Sequence, residues 1–233
     1  MPAADTEPVL VATGLTKSYD DLVALAPLDL SIGRGELVVL VGHNGSGKST
    51  FLGMCAGLLE PTEGTLDVAG HASGSYEARA STSYLPDNPV LYDDLSVVEH
   101  LEYVSRLHGV EDWTARGEEL LERLGLAARA DGLPSRFSRG LRQKTAIALA
   151  LVRPFDLLLV DEPFVGLDPQ GKDAMVRLLE EAHTGGAAVI VATHQLEFVQ
   201  RADRCLALRD GDLVFDGPAN GADVDQLVLG EHG

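Results

Sequence analysis

The sequence has few residues of the kinds that form covalent crosslinks or bind transition metals. Only two cysteines, Cys55 and Cys205, occur in 233 residues, and they are far apart in the chain. Each stands beside apolar residues, which is typical of a buried thiol in a reducing compartment rather than of a disulfide or a metal ligand. The histidines show no His-x-x-x-His spacing and the cysteines no Cys-x-x-Cys spacing. A transition-metal site is therefore not expected.

Long apolar runs are also missing. The longest aliphatic run, Ala146 to Val152, is far shorter than the roughly 20 residues that a membrane-spanning helix needs. The first ten residues, "MPAADTEPVL", are acidic and lack a basic region followed by an apolar core, so we expect no secretory signal. If the protein works at a membrane, we expect other chains to supply the membrane-spanning helices.

Positive charge is scarce, because the net charge is −18 and only four lysines occur. Nucleic-acid binders usually present a basic face to phosphates, so a nucleic-acid partner is not expected. An acidic surface is also repelled by anionic lipid headgroups. Cytoplasmic loops of membrane proteins are rich in Lys and Arg, and such loops suit an acidic partner.

Predicted strands and helices alternate along most of the chain. Short apolar runs such as "ELVVLVG", "LLLVDEP" and "AAVIVAT" are typical of strands that are buried on both faces. This alternation predicts an α/β fold with a mainly parallel sheet. Residues 96 to about 153 interrupt it with helical spacing, and Ser96 followed by Glu99 resembles a capping box. We therefore expect one domain over residues 1–233 with a helical lobe at about 96–153.

The stretch "VGHNGSGKST" at residues 41–50 has the spacing of a P-loop. Backbone N–H groups of such a loop, at the start of a helix, attract phosphate. Lys48 is expected to contact the β- and γ-phosphates, and the Ser49 hydroxyl to bind Mg²⁺. Kinases, GTPases, helicases, motors and transporter ATPases all use this loop, so the loop alone leaves the function open.

Acidic residues at the end of an apolar strand are candidates for a further Mg²⁺ ligand and for the group that activates water. In "LLLVDEP", Asp161 is placed to hold Mg²⁺ and Glu162 to orient or deprotonate the attacking water. His194 ends another apolar strand in "VIVATHQ". Because parallel strands bring their carboxyl ends to the same crevice, we expect His194 near the γ-phosphate with Glu162.

A second helix start is predicted in "FSRGLRQK", residues 137–144. Ser138 is suited to cap the helix that follows, and Gly140 permits a close approach of backbone. Such a helix start is suited to phosphate. Alone, the Ser-x-Gly spacing is a weak signal that an ordinary helix cap explains better.

Taken in order, these segments resemble the nucleotide-binding subunit of ATP-binding cassette (ABC) transporters, over about residues 9 to 217. Tyr19 in "KSYDDLVAL" matches the aromatic that stacks on adenine, "GHNGSGKST" the Walker A motif and "SYLPDNPVLYDDLSVVEHL" the Q-loop region. "FSRGLRQK" matches the signature motif, "LLLVDEP" Walker B, "GLDP" the D-loop and His194 the switch histidine.

The resemblance implies ATP and Mg²⁺ as cofactors and an N-terminal antiparallel β subdomain beside the P-loop core. The residues it implies at the nucleotide are Tyr19, Gly42, His43, Asn44, Gly45, Ser46, Gly47, Lys48, Ser49, Thr50, Ser138, Gly140 and Asp168. Ser49, Asp161 and Asp87 are the implied metal ligands, and Glu162, His194 and Lys48 the implied catalytic residues.

The resemblance further implies a dimer that encloses two ATP molecules. Each ATP would contact Walker A of one subunit and Ser138 and Gly140 of the other. Closing and reopening of this dimer would move membrane-spanning permease subunits, which would hold the protein at the cytoplasmic face of the membrane. The sequence leaves the choice between homodimer and heterodimer open, together with the transported substrate.

Two departures from the family pattern favour export over binding-protein-dependent import. Asp87 stands where the family usually has Gln, and its carboxylate is shorter and charged. The signature keeps Ser138 and Gly140 but has Arg139 and Leu141 at positions where the usual Leu-Ser-Gly-Gly-Gln motif has Gly and Gln.

Two other classes compete with a transporter ATPase. An ABC-type ATPase without transport, for example in iron–sulfur assembly, uses the same motifs. However, the chain has no long coiled-coil insertion, zinc insertion or second cassette of the kind that repair, chromosome and translation types carry. A P-loop kinase or GTPase would not explain the signature segment, the adjacent Asp161 and Glu162, and His194 together.

Overall fold

The computed structural model of the protein describes residues 7–229. The strands are β1 Leu10–Tyr19, β2 Leu22–Ile32, β3 Leu37–Val41, β4 Glu63–Val68, β5 His71–Ala72, β6 Thr82–Leu85, β7 Leu157–Asp161, β8 Ala188–Ala192, β9 Arg204–Arg209 and β10 Asp212–Pro218. The α-helices are α1 Lys48–Cys55, α2 Tyr76–Ser81, α3 Val97–Leu107, α4 Thr114–Arg123, α5 Arg139–Leu151, α6 Pro169–Thr184, α7 Leu196–Val199 and α8 Val224–Leu229. Short 3₁₀ helices lie at Ala127–Arg129, Pro134–Arg136 and Ala219–Gly221.

The larger sheet has the strand order β10-β9-β3-β8-β7-β6. Strand β3 pairs in parallel with β8 and β9, and β7 pairs in parallel with β8, while β10 runs antiparallel to β9. Every residue of β3, β7 and β8 is buried, as the apolar runs in the sequence predict. The carboxyl ends of β3, β7 and β8 therefore face the same edge of the sheet, which is where the P-loop and the predicted catalytic residues follow.

A second sheet is antiparallel and has the order β2-β1-β4-β5. Its first two strands form a hairpin in which Tyr19 pairs with Leu22 across a two-residue turn. Strand β2 is 11 residues long, and its first residues, from Leu22 onward, are partly exposed. The sheet confirms the predicted antiparallel β subdomain, and with the parallel core it confirms the α/β fold class.

The described residues fall into two compact units. The first contains residues 7–83, 155–162 and 181–229, and the second contains residues 84–154 and 163–180. The predicted helical lobe, about 96–153, lies within the second unit. That unit also takes in residues 163–180, which are distant in the sequence.

Helix α3 begins as the sequence predicts. The Ser96 hydroxyl accepts a hydrogen bond from the Glu99 backbone N–H at 3.3 Å, and the Ser96 backbone N–H donates to the Glu99 carboxylate at 2.7 Å. These reciprocal bonds satisfy two N–H groups that a helix start leaves unpaired. Val97 and Leu101 of α3 are buried, so the N-terminal cap and the buried apolar residues indicate the same helix. Among the helices of residues 7–229, none has the length and apolar character to cross a membrane.

Candidate nucleotide site

The loop between β3 and α1 is shaped by close backbone contacts. Gly47, the cap residue of α1, has a φ of 105°, and a Cβ there would lie 2.6 Å from the Ala24 carbonyl oxygen. Only glycine fits this position without strain. Gly47 has no side chain to cap the helix, so the first N–H groups of α1 remain available to an anion. The buried Ser46 hydroxyl likewise has no hydrogen-bond partner in the described part of the chain.

Other P-loop residues differ in exposure. Asn44 and Gly45 are exposed, whereas Gly42 is buried and Thr50 is half-buried. His43 is half-buried, its Nδ1 lies 2.9 Å from the Asn44 carbonyl oxygen, and its Nε2 lies 3.3 Å from an Asp210 carboxylate oxygen. The outer part of the loop is thus open to solvent while its base is packed.

Lys48 lies at the start of α1 with its side chain folded into the loop. Its Nζ donates hydrogen bonds to the carbonyl oxygens of Gly42 at 2.7 Å and His43 at 3.1 Å, and the residue is buried. Burial lowers the pKa of Lys48 below its usual value, while the negative charges of Glu162 and Asp161 oppose that shift. The loop therefore holds one ammonium group near two carboxylates, a cluster with a net negative charge that a divalent cation would stabilise.

Ser49 and Asp161 come together although 112 positions separate them. The Ser49 hydroxyl donates to Asp161 Oδ2 at 2.7 Å. Asp161 is the last residue of β7 and is buried, whereas Ser49 is exposed in the first turn of α1. A hydroxyl and a carboxylate are oxygen ligands of the kind that Mg²⁺ takes from proteins, with phosphate and water completing the shell. These two residues therefore fit the predicted metal.

Glu162 and His194 form the second pair at this edge. His194 Nδ1 lies 3.0 Å from Glu162 Oε2, and the His194 side chain is 67% exposed. Glu162 has a left-handed backbone with a φ of 47°, an unusual conformation for a glutamate. Its backbone N–H donates to the Ala192 carbonyl oxygen of β8 at 2.9 Å, which holds that conformation in place. Backbone strain of this kind is concentrated at functional sites.

The sequence profile of the ABC transporter family matches residues 25–165, more than half of the chain. The chain belongs to the ABC transporter family. The predicted family is confirmed, and with it the class of ATP-binding, ATP-hydrolysing cassette.

Two relatives illustrate the range of proteins that resemble this cassette. The SkfA peptide export ATP-binding protein SkfE of Bacillus subtilis is 35% identical over 205 residues, which cover 87% of this chain and 86% of SkfE. The macrolide export ATP-binding/permease protein MacB of Shewanella oneidensis is 33% identical over 226 residues, covering 91% of this chain. The cassette spans only 34% of the length of MacB.

Solved structures agree with the fold. The ATP-binding subunit of an ABC transporter superposes with a TM-score of 0.88 at 31% identity, covering 94% of this cassette and 97% of that chain. A dimeric post-hydrolysis state of the ATP-binding cassette MJ0796, bound to ADP and Pi, superposes with a TM-score of 0.83 at 26% identity. That match covers 91% of this cassette and all of the MJ0796 chain.

Tyr19, the predicted adenine contact, is the last residue of β1 and is 45% exposed. Its sheet contacts the P-loop through the Ala24 carbonyl oxygen, since Ala24 belongs to β2 and approaches Gly47. Tyr19 thus has an exposed ring on an element that packs against the phosphate loop.

The remaining predicted residues belong to the second unit. Ser138 is exposed and caps α5, with its hydroxyl 3.4 Å from the Leu141 backbone nitrogen. Gly140 lies so close to the 163–180 segment that a Cβ would be 2.6 Å from the Gly166 carbonyl oxygen. Asp168 pairs with Lys144 at 2.8 Å, and that lysine holds the pKa of the Asp168 carboxyl below its usual value. These contacts join the signature segment to the D-loop within one unit.

Asp87 has polar neighbours of its own. Its carboxylate lies 3.9 Å from Arg139 Nη2 and accepts a hydrogen bond from the Asn88 side chain at 3.0 Å. Two of the residues that depart from the family pattern, Asp87 and Arg139, are therefore neighbours of opposite charge.

The turn between β9 and β10 supports the P-loop and was missed by the sequence reasoning. The Gly211 backbone N–H donates to the Ser46 carbonyl oxygen at 3.1 Å, and its carbonyl oxygen accepts from the Ala26 N–H at 2.9 Å. Asp210 contacts His43 from the same turn. The Asp-Gly pair in "RDGDL" signals a turn, but nothing in the sequence indicates what the turn packs against.

Proposed function

We propose that this cassette binds MgATP at the P-loop, hydrolyses it, and uses ATP-driven dimerisation to power export through membrane-spanning permease subunits. The observation that carries the proposal is the meeting of three elements at one sheet edge. Lys48 is held in the loop, Ser49 contacts Asp161 at 2.7 Å, and His194 contacts Glu162 at 3.0 Å.

In the proposed mechanism, the P-loop N–H groups and the Lys48 ammonium bind the β- and γ-phosphates. The phosphate oxygens would accept hydrogen bonds from the unpaired N–H groups at the start of α1. They would also place negative charge beside the Lys48 ammonium, which burial destabilises when it has no anion nearby. Ser49 and Asp161 would hold Mg²⁺. When bound, Mg²⁺ would neutralise charge on the phosphate oxygens.

Glu162 is proposed to orient the attacking water and to accept its proton. The water oxygen forms a bond to the γ-phosphorus, the bond from that phosphorus to the bridging oxygen breaks, and ADP leaves with the electron pair. His194 would hold the Glu162 carboxylate through its Nδ1–H and present an exposed ring to the γ-phosphate. The left-handed backbone of Glu162 supports this assignment, because it turns the chain sharply directly after β7.

A second cassette is proposed to complete each site. Ser138 and Gly140 stand at the start of α5, where a helix N-terminus would face the ATP held by the partner. The MJ0796 cassette, which this chain resembles, is dimeric in a post-hydrolysis state with ADP and Pi, and this supports dimerisation here. Asp168 would contribute next to the signature segment through its pair with Lys144. Asp87 remains a proposed Mg²⁺ ligand.

Export is the proposed direction of transport. The names of SkfE and MacB describe export of a peptide and of macrolides by those proteins. Such relatives support export here over a non-transport role for the ATPase. The permease partner would bring the cassette to the cytoplasmic face of the membrane.

Dimerisation tests the proposal directly. With saturating MgATP, Glu162→Gln is expected to sediment at about twice the monomer mass of 24.7 kDa, because ATP persists at the interface. Without nucleotide the same variant should sediment as a monomer. Analytical ultracentrifugation measures both states, and a variant that stays monomeric with saturating MgATP would refute ATP-driven dimerisation.

A matched pair of serine variants localises the interface in that experiment. In the Glu162→Gln background, Ser138→Ala should lower the dimer fraction, because it removes a hydroxyl that is proposed to contact the partner's ATP. Ser135→Ala is the control, since Ser135 is also exposed but bonds to the Asp93 carbonyl oxygen of its own unit. Equal effects of the two substitutions would argue against Ser138 at the interface.

Tyr19→Ala tests the proposed adenine contact. Stacking of a base on an aromatic ring contributes about 1–3 kcal/mol, so the substitution should weaken ATP binding by roughly 5- to 150-fold. Because the remaining phosphate contacts do not depend on the base, the preference for ATP over GTP should shrink as well. Equilibrium titration with both nucleotides measures the ratio, and an unchanged ratio would contradict the stacking role.

A further inference from the structure

The ring of Tyr19 has a cation beside it. Lys17 Nζ lies 5.0 Å from the centroid of the Tyr19 ring, within the range in which an ammonium is attracted to an aromatic face. Residues two apart in a strand project to the same side of the sheet, and Lys17 and Tyr19 are two apart in β1. The 5.0 Å distance itself establishes the contact, because the pairing of β1 with β2 shifts register between Lys17 and Ser18.

Lys17 is anchored at its charged end. Its Nζ donates a hydrogen bond to the Glu60 carbonyl oxygen at 2.8 Å. A backbone carbonyl is held by the chain and cannot rotate away as a carboxylate side chain can, so this bond favours one position of the ammonium. Lys17 is half-buried, which further restricts its stem.

The anchor is part of a larger connection between the end of β1 and the segment before β4. The Ser18 backbone N–H donates to Thr62 Oγ1 at 3.0 Å, and the Thr62 backbone N–H donates to the Thr16 carbonyl oxygen at 2.8 Å. The segment that holds the Lys17 ammonium is thus bonded to the residues on either side of Lys17. These bonds therefore hold the segment around Glu60 next to the end of β1, where Lys17 and Tyr19 lie.

We propose that Lys17 is a positioning residue for the nucleotide base: its ammonium occupies one face of the Tyr19 ring and leaves the opposite face for the purine. An ammonium on one face orients the ring and draws electron density toward itself, which favours an electron-rich purine on the other face. The inference rests on the proposed function, because it requires Tyr19 to stack on the base of ATP.

The test compares ATP with inorganic tripolyphosphate, which offers phosphates to the P-loop but has no base. Lys17→Met removes the charge and keeps an unbranched stem. It should weaken ATP binding about two- to fivefold, the range expected for an exposed cation–π contact, and leave tripolyphosphate binding unchanged. Lys17→Arg should retain ATP affinity, since a guanidinium can both stack and donate to the Glu60 carbonyl oxygen. Isothermal titration calorimetry on the full chain measures each affinity.

Two controls distinguish positioning of the Tyr19 ring by Lys17 from a general effect of removing a positive charge. Lys172→Met removes a charge from an exposed lysine of α6 and should change neither affinity. In a Tyr19→Ala background, Lys17→Met should cause no further loss of ATP affinity, because its effect passes through the ring. Two results would overturn the inference. One is that Lys17→Met weakens the binding of ATP and of tripolyphosphate by the same factor. The other is that Lys17→Met weakens ATP binding by the same factor in the Tyr19→Ala background as in the wild type.

Failure of the proposed function has a different signature. If the wild-type chain bound tripolyphosphate as tightly as ATP, the base would contribute nothing and the stacking role of Tyr19 would fail. If the wild type favoured ATP and Tyr19→Ala abolished that preference while Lys17→Met left it intact, only the role of Lys17 would fail.

Discussion

Replacing Glu162 by Gln should lower the steady-state ATPase rate at least about 100-fold, the lower end of the contribution expected from a positioned general base. The amide is nearly isosteric with the carboxylate but cannot accept a proton from water. Its oxygen or nitrogen can still contact His194, whose Nδ1 lies 3.0 Å from Glu162 Oε2. Phosphate release in a coupled assay at saturating MgATP measures the rate.

Nucleotide binding should survive this substitution, because the phosphate contacts come from the loop and from Lys48. We therefore expect the ATP affinity of Glu162→Gln to stay close to that of the wild type. Glu118→Gln is the matched control, since Glu118 is an exposed residue of α4 in the second unit and has no place in the proposed site. Near-normal turnover in Glu162→Gln would show that another group activates the water.

Replacing Lys48 by Ala should instead reduce the affinity for ATP at least about tenfold. Hydrogen bonds to charged groups contribute about 1.5–3 kcal/mol each, and the alanine would lose the contact to the β- and γ-phosphates. The substitution also removes two hydrogen bonds to the Gly42 and His43 carbonyl oxygens, which shape the loop itself. Equilibrium binding of a fluorescent ATP analogue measures the loss.

The control for Lys48→Ala must separate loss of binding from loss of folding. Lys172→Ala removes an exposed lysine from α6 and should leave affinity unchanged. Thermal unfolding without nucleotide shows whether the Lys48→Ala chain remains folded. A folded Lys48→Ala variant with wild-type affinity would contradict the assignment of Lys48 to the phosphates.

Much of the fold can be predicted from the sequence, because the patterns that indicate its strands and helix starts lie within a few neighbouring residues. Strands β3, β7 and β8 are short apolar runs, and burial on both faces of the sheet is the reason for that composition. The start of α3 is equally local, since Ser96 and Glu99 cap the helix with groups only three positions apart. Helix α2 is also capped locally, since the Ser75 hydroxyl accepts from the Ala78 N–H at 3.1 Å, but the helix is only six residues long and mostly exposed, so no apolar periodicity predicts it.

The candidate site could be predicted only in part, because its contacts join residues that are far apart in the sequence. Spacing predicts that Ser49 and Asp161 both serve Mg²⁺, but β8 lies between β3 and β7 in the sheet. The contact forms because Ser49 stands in the first turn of α1, and α1 packs against β7. Strand order, which decides this geometry, depends on packing of the whole chain.

The sequence by itself determined the chemistry of this protein: a phosphate loop whose glycines, lysine and serine are contiguous, and acidic and histidine residues placed directly after apolar strands. Tertiary structure decided the left-handed backbone at Glu162, the direct 3.0 Å contact of its carboxylate with His194, the neighbouring charges of Asp87 and Arg139, and the cation beside Tyr19. The motif residues are neighbours along the chain, whereas these contacts depend on the conformation that packing gives to backbone and side chains, which no spacing encodes.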